Sequence, residues 1–206
     1  MSDSYPRRDQ ARGIWKINDI TKNIKEEGTY PQASSQNTAI YSGGATPSSV
    51  VTMDTFQINT AGNAVDFGDL AAGIRPTANA GDFIRCIICG GADPDVNTIQ
   101  YVNYATKGNT ADFGDDLNDV QWKGGGGSNG TRSVWASGTT PGTTNISSII
   151  VQTFGTIVDY GDLTEAKYGT AFGTNGNNIT AAFSGGNSGS NTNRIETKDI
   201  TSSGNN

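Results

Sequence analysis

The chain has 206 residues, no histidine and a formal net charge of −6 at pH 7. The negative charge argues against a nucleic-acid partner, and without a run of 18 apolar residues we expect no membrane-spanning helix. Because histidine is the commonest general base and transition-metal ligand, its absence argues against an enzyme, a metal centre or another cofactor.

The first 31 residues do not follow the pattern of the rest, and we predict a separate N-terminal segment, 1–31. Asn18 can cap a short helix that Gly28 ends. The apolar stripe of this segment consists of Ile14, Trp15, Ile17, Ile20 and Ile24. Two interpretations stay open: the stripe covers one end of the remaining structure, or it anchors the chain on a larger assembly.

Residues 32–200 are predicted to form one domain built from a repeat of about 47 residues. Its clearest motif occurs three times, at spacings of 46 and 47 residues. The copies are Asp66-Phe67-Gly68-Asp69-Leu70, Asp112-Phe113-Gly114-Asp115-Asp116-Leu117 and Asp159-Tyr160-Gly161-Asp162-Leu163. A glycine stands four residues before each copy: Gly62, Gly108 and Gly155. We call the strand predicted around this motif the B strand.

A second motif is an apolar run that ends in glycine, and it predicts a D strand in each repeat. Its copies are 38–44, 85–91, 131–138 and 180–186. Tyr41, Ile88, Trp135 and Phe183 share one column of this alignment, so we expect them to form the repeated core. A stretch rich in β-branched or aromatic residues follows each copy and predicts an A strand. The A strands are expected in 50–60, 97–106, 145–153 and 191–200, and the variable stretch between B and D is expected to hold a C strand.

The segments therefore run D, then A-B-C-D three times, then a lone A. Four short strands in a unit of this length are typical of a β-propeller blade, and the glycine pair is kelch-like. We predict an all-β, propeller-like array, with a fourth blade closed by pairing 191–200 with the sheet that contains 38–44. An open stack of three units whose ends meet other copies of the chain is the alternative. Residues 201–206 are expected to form a polar tail.

The recurring aspartates could be offered as metal ligands or as an acid and base. Because the same pair recurs in every unit, we predict a structural role in which aspartate accepts backbone N–H bonds in a tight turn. Phe67, Phe113 and Tyr160 are then expected to fill the gaps between neighbouring sheets.

Two further motifs suggest chemistry that their context does not support. Cys86 and Cys89 spell C-x-x-C, but both fall in columns of small residues and are predicted to be buried fillers. Residues three apart on a strand point to opposite faces, which disfavours a disulfide. The run Gly124–Gly127 has no Lys-Ser/Thr after it, so we predict a flexible surface loop rather than a phosphate site.

The repeat of this chain resembles a kelch-like repeat of virion structural proteins in tailed bacteriophages, particularly phages of marine bacteria. The pattern that carries the resemblance is N-x-I-x-Y…T-x-G-N-x-x-D-F-G-D-L…T-R-x-V-[WF]-x-[SG]-G. Two parts of the N-terminal segment also resemble a short element of the same proteins. They are Arg12-Gly13-Ile14-Trp15-Lys16-Ile17 and Gly28-Thr29-Tyr30-Pro31. The resemblance spans about residues 11–200. This chain departs from it by the inserted Asp116, by Tyr160 in place of Phe, and by a fourth unit without a B strand.

The resemblance implies a structural component of a phage virion, in a tail fibre, another tail appendage or a capsid decoration, made in the host cytoplasm. Expected partners are other virion proteins, bound through the N-terminal segment, and further copies of the chain. Host glycans are a further expected partner, on which Trp122 and Tyr168 could stack. A free lectin-like propeller is the alternative, and a hydrolase is least supported because a nucleophile, base and electrophile cannot be assembled from the residues present.

Overall fold

A computed structural model describes residues 37–75, 78–120, 122–138, 142–174 and 179–204. Regular structure in these ranges is almost wholly antiparallel β-sheet, so the all-β prediction is confirmed. The predicted helix and the stripe of Ile14, Trp15, Ile17, Ile20 and Ile24 lie outside the described residues. In the described ranges no helix combines the length and apolarity that crossing a membrane requires.

The described strands form four small sheets in chain order. The first sheet contains β1 (Thr38–Ser42), β2 (Thr52–Gln57) and β3 (Val65–Asp69). The second contains β4 (Ala78–Gly81), β5 (Arg85–Gly91), β6 (Val96–Asn103) and β7 (Ala111–Asp116). The third contains β8 (Gly125–Ser128), β9 (Arg132–Ala136), β10 (Thr143–Ile150) and β11 (Val158–Lys167). The fourth contains β12 (Ala171–Thr174), β13 (Thr180–Ser184) and β14 (Ile195–Asp199).

These strands coincide with the predicted segments, but the sheets divide the repeat at a different point. The D strands are β1, β5, β9 and β13; the A strands are β2, β6, β10 and β14; the B strands are β3, β7 and β11; the C strands are β4, β8 and β12. Each four-stranded sheet has the spatial order C-D-A-B. The connection from B to C therefore passes from one sheet to the next. Among the described strands, the first sheet has no C strand and the fourth has no B strand.

The predicted ring closure is wrong in its pairing. Segment 191–200 contributes β14, which pairs with β13 from Thr180↔Asp199 to Ser184↔Ile195. In the same way β1 pairs with β2 of its own sheet. Pairing strands that are close in sequence closes a shorter loop and so costs less conformational entropy than joining the two ends of the domain. No closed barrel or propeller appears in the described part of the chain.

Three buried hydrophobic clusters of described residues hold the sheets together, one between each successive pair. The cluster between the first and second sheets includes Met53, Phe67, Leu70, Ile74, Cys86, Ile88 and Val102. The cluster between the second and third includes Ile87, Cys89, Ile99, Phe113, Leu117, Trp135, Ile149 and Val151. The cluster between the third and fourth includes Val134, Ala136, Ile146, Tyr160, Leu163, Ala181, Phe183 and Ile200. None of these clusters joins the fourth sheet to the first, so the described sheets form an open stack.

The glycine run 124–127 is not the surface loop that its composition predicts. Gly125–Ser128 is β8, which pairs with β9 from Gly125↔Ala136 to Ser128↔Ser133. A Cβ atom on Gly127 would lie 1.8 Å from a ring carbon of Phe172, and one on Gly126 would lie 2.3 Å from the Trp135 ring. Glycine is therefore required here because aromatic rings from the same and the next sheet occupy the space of a side chain.

Candidate functional site

The Asp-Phe-Gly-Asp motif forms a bulge in each B strand. Where β2 pairs with β3, Met53 lies opposite Gly68 and Asp54 lies opposite Asp66, so Phe67 is the extra residue. The motif glycines Gly68, Gly114 and Gly161 have φ values of 146°, 96° and 110°. Such a bulge turns a side chain away from the regular alternation of the strand.

The bulged aromatic residues lie between sheets. Phe67, Phe113 and Tyr160 are 3%, 1% and 2% exposed, and each belongs to a different one of the three clusters. Tyr160 also donates a hydrogen bond from its hydroxyl to the carbonyl of Ile200, at 2.6 Å. Each B strand therefore contributes one large ring to the contact with the next sheet.

The first aspartate of the motif caps the bulge in two of the three copies. Asp112 Oδ1 accepts the N–H of Gly114 at 2.8 Å, and Asp159 Oδ1 accepts the N–H of Gly161 at 3.0 Å. These bonds occupy the carboxylate with backbone of its own strand, as the predicted turn role requires.

The second aspartate of the motif makes contacts that differ between copies. Asp115 Oδ2 accepts the N–H of Ile157, which belongs to the following unit, at 2.9 Å. Asp162 Oδ1 accepts the hydroxyl of Thr144 on the neighbouring strand, also at 2.9 Å. The backbone N–H of Asp69 donates to Asn109 Oδ1 at 3.0 Å. These positions therefore link strands or units in all three copies.

A backbone hydrogen bond from a glycine repeats between units. Gly108 N–H donates to the carbonyl of Phe67 at 2.9 Å, and Gly155 N–H donates to that of Phe113 at 3.2 Å. Gly204 N–H makes the third such bond, to Tyr160, also at 3.2 Å. The glycine that recurs four residues before the motif thus marks a contact with the preceding unit. Gly204 was missed in the sequence, although Ile200 to Gly204 matches Ile58 to Gly62 in spacing and end residues.

The predicted core column is buried at three of its four positions. Ile88, Trp135 and Phe183 are fully buried, whereas Tyr41 is 69% exposed. Tyr41 stacks on Phe56, with ring centroids 6.1 Å apart and planes inclined by 26°. The prediction fails for Tyr41 because, among the described residues, no sheet precedes the first one and packs against this face.

Both cysteines lie in the sheet interior as free thiols. Cys86 belongs to the cluster before the second sheet and Cys89 to the cluster after it, so their side chains point to opposite faces. Burial raises the pKa of Cys86 to about 12, although a hydrogen bond with Tyr104 lowers it slightly, and burial also raises the pKa of Cys89. A thiolate is the form that attacks or binds metal, so neither residue offers one near neutral pH.

The most enclosed charged pair among the described residues joins the third and fourth sheets. Lys167 Nζ lies 2.5 Å from Glu196 Oε1, and the two side chains are 0% and 5% exposed. Burial raises the pKa of Glu196, but hydrogen bonds from Lys167 and from the backbone N–H of Thr164 outweigh it, so the pKa is lowered overall. With both partners enclosed and mutually paired, this ion pair is a structural link. No group of three or more Cys, Asp or Glu suitable for a metal occurs among the described residues.

Two aromatic residues singled out for sugar stacking both lie close to one lysine. Lys123 Nζ is 3.8 Å from the ring centroid of Trp122 and 5.6 Å from that of Tyr168. Tyr168 and Lys123 line an open groove with Asn187 and Asn191. Sequence reasoning named the two aromatic residues but missed the lysine and the asparagines, which come from separate connections of the chain.

The chain matches none of the known protein families and none of the curated proteins with which it was compared.

Proposed function

We propose that the chain is a structural component of a tailed-phage virion, in a tail fibre, tail appendage or capsid decoration. The proposal starts from the repeat resemblance, and one structural observation carries it further. Each unit is fixed to the next by a buried aromatic ring and a glycine-to-carbonyl hydrogen bond. Such nearest-neighbour locking produces a stiff scaffold, on which variable loops are free to recognise a partner. In this proposal each sheet acts as a propeller-like blade.

Immunogold labelling of purified particles tests the location. An antibody against the repeats is expected to label tails or capsids at regular positions, and mass spectrometry of the same particles is expected to recover the chain in fixed stoichiometry. Failure to detect the chain in washed particles that contain the known capsid and tail proteins would refute the proposal.

The N-terminal segment, 1–31, is proposed to anchor the chain on other virion proteins. Trp15→Ala is expected to reduce incorporation into particles while the far-ultraviolet circular dichroism of the purified chain stays unchanged. Trp122→Ala is the matched control, since it removes a tryptophan from the repeats. Normal incorporation of Trp15→Ala and of a chain lacking 1–31 would contradict the anchor.

A second proposed role, contact with host glycans, is favoured by the groove beside Lys123. Aromatic faces attract cations and provide flat apolar surfaces, while asparagine amides supply donors and acceptors. The ammonium group makes an acidic surface polysaccharide the best-matched ligand class. Trp122→Ala and Tyr168→Ala are each expected to weaken binding about tenfold, which corresponds to about 1.4 kcal/mol.

Binding is measured by biolayer interferometry with purified host polysaccharide, and Tyr41→Ala serves as the matched control. Tyr41 is an exposed aromatic residue on another sheet, so its replacement is expected to leave binding unchanged. Equal affinity in all three variants would exclude this groove as the glycan site. Glycan binding by a chain that is absent from particles would instead favour a free lectin.

A further inference from the structure

A groove lies between the second sheet and the connection that reaches it from the first sheet. Its volume is about 340 Å³, which is within the range of ligand-binding sites. Its polar lining consists of Thr98 and Gln100 of β6 and of Asp112 and Asp116 of β7. The remaining lining residues are aliphatic: Ala71, Ala72, Ile74, Pro94, Val96 and Ile99. An aliphatic surface is therefore bordered by two carboxylates, and no basic residue lines the groove in the described part of the chain.

The side-chain amide of Gln100 has its oxygen occupied and its nitrogen unpaired. Oε1 accepts the backbone N–H of Ala71 at 3.0 Å and the hydroxyl of Thr110 at 2.6 Å. Nε2 has no acceptor among the described residues, although Gln100 is only 7% exposed and lines the groove. A ligand that fills the groove shields this donor from solvent, so the site favours a ligand that brings an acceptor of its own.

Both carboxylates of the groove are available to a ligand. Asp112 accepts the N–H of Gly114 through Oδ1, which leaves Oδ2 without a partner among the described residues. Asp116 lies opposite Thr98 in the sheet, and its carboxylate makes no hydrogen bond or ion pair within the described ranges. The groove therefore carries negative charge that the described residues do not neutralise, and it favours a cation.

Gln100 has a counterpart in the fourth sheet, Glu196. Both residues lie opposite a residue of the repeated core column. Glu196 Oε2 accepts the backbone N–H of Thr164 at 2.6 Å, as Gln100 Oε1 accepts that of Ala71. Thr164 and Ala71 each follow the leucine of a repeated motif. The two side chains therefore occupy the same place between successive sheets.

In the fourth sheet this place holds an ammonium group from the chain itself. Lys167, four residues after the motif leucine, has its Nζ 2.5 Å from Glu196 Oε1. The residue four positions after Leu70 is Ile74, which brings no charge to the second sheet. The corresponding place beside the second sheet therefore lacks an internal ammonium group among the described residues, while the two aspartates border it.

We propose that this groove binds a lysine side chain in an exposed basic segment of a partner protein. The aliphatic stem of lysine matches the aliphatic lining, its ammonium group pairs with the carboxylates, and its peptide carbonyl accepts from Gln100 Nε2. A free polyamine fits less well because protonated amines have no acceptor for that amide. An amino sugar fits less well because no aromatic face lines the groove among the described residues. Binding of this kind does not depend on incorporation of the chain into a virion.

NMR titration of the full-length, ¹⁵N-labelled chain with blocked tripeptides tests the site. A peptide with lysine between two alanines is expected to shift the side-chain amide resonances of Gln100. It should bind at least about tenfold more tightly than the same peptide with norleucine, which keeps the stem but lacks the ammonium group.

Two isosteric substitutions test the carboxylates. Asp112→Asn combined with Asp116→Asn is expected to weaken binding of the lysine peptide about tenfold. Asparagine at position 112 can still accept the N–H of Gly114, and both positions are exposed, so the fold should be kept. Asp66→Asn is the matched control, because Asp66 holds the same motif position in the first unit and does not line the groove. It should leave the affinity unchanged.

The comparison of the two peptides on the unaltered chain stands even if the double variant fails to fold. Equal affinity for the lysine and norleucine peptides, unmoved Gln100 resonances, or unchanged affinity in a folded double variant would each overturn the proposal. Tighter binding of 1,4-diaminobutane than of the lysine peptide would also overturn it and would identify a free amine as the ligand. Concentration-dependent shifts at Gln100 without any peptide would overturn it by identifying a second copy of the chain as the occupant.

Discussion

Replacing Gly68 with alanine tests whether close approach of neighbouring units is what the repeated motif requires. A Cβ atom at Gly68 would lie 2.3 Å from the carbonyl carbon and oxygen of Gly108. Ordinary contacts begin near 3.4 Å, so the two backbones must separate by about 1 Å. That movement breaks the bond from Gly108 N–H to Phe67 O, which costs about 1–3 kcal/mol if the donor stays buried. The positive φ of 146° adds about 1–3 kcal/mol of strain.

The expected loss in the free energy of unfolding for Gly68→Ala is therefore about 2–6 kcal/mol, a large part of the stability of an ordinary domain. Gly108→Ala is the matched control, since Gly108 has a φ of 104° but no atom within 4 Å of the added Cβ. The free energy of unfolding of Gly108→Ala should fall by only about 1–2 kcal/mol, from backbone strain. Gly62→Ala, with neither strain nor contact, should change stability by less than about 1 kcal/mol. Urea unfolding measures the free energy of unfolding of all three variants. Equal losses for Gly68→Ala and Gly108→Ala would refute the argument that close approach of neighbouring units requires glycine at position 68.

Three further predictions concern the buried polar and thiol groups. Lys167→Met should lower the free energy of unfolding by about 3–5 kcal/mol in urea titrations, because it leaves Glu196 buried without its cation; a loss below about 1 kcal/mol would contradict this. Since the folded-state pKa of Glu196 is lowered, its stabilising contribution is complete above the unfolded pKa of about 4.3 and is lost as pH falls through the folded value. The melting temperature should therefore fall less steeply below pH 4.3 in Glu196→Gln than in the wild type. Cys86 and Cys89 should resist a maleimide reagent at pH 8 until the chain unfolds, and rapid labelling of the native chain would show that the sheet interior opens.

Periodicity in the sequence predicted the strands well because each motif has a local physical cause. The D segment 85–91 coincides with β5, whose apolar side chains are buried on both faces. The B strands followed from the repeated Asp-Phe-Gly-Asp motif, in which glycine provides the positive φ of a bulge. A period, however, does not define where one sheet ends and the next begins. The C-D-A-B grouping depends on which connections cross between sheets, and that is a property of tertiary packing.

The features that the sequence did not predict correctly also have specific physical causes. Four consecutive glycines have low strand propensity, yet β8 forms because the rings of Trp135 and Phe172 fill the space beside it. Tyr41 occupies the same position of the repeat as three buried residues, but the alignment does not indicate that its unit forms the first sheet of the stack. The groove beside Lys123 joins connections far apart in the sequence, so no local pattern could indicate it.

The open stacking of the sheets has a consequence for how the molecule comes apart. In the described part of the chain, a sheet at either end is secured by one hydrophobic layer, whereas each inner sheet is secured by two. Local unfolding should therefore begin at the terminal sheets and progress inward, as in a one-dimensional chain of coupled elements. Resistance to a pulling force applied at the ends is then set by the weakest of the three layers, however strong the other two become.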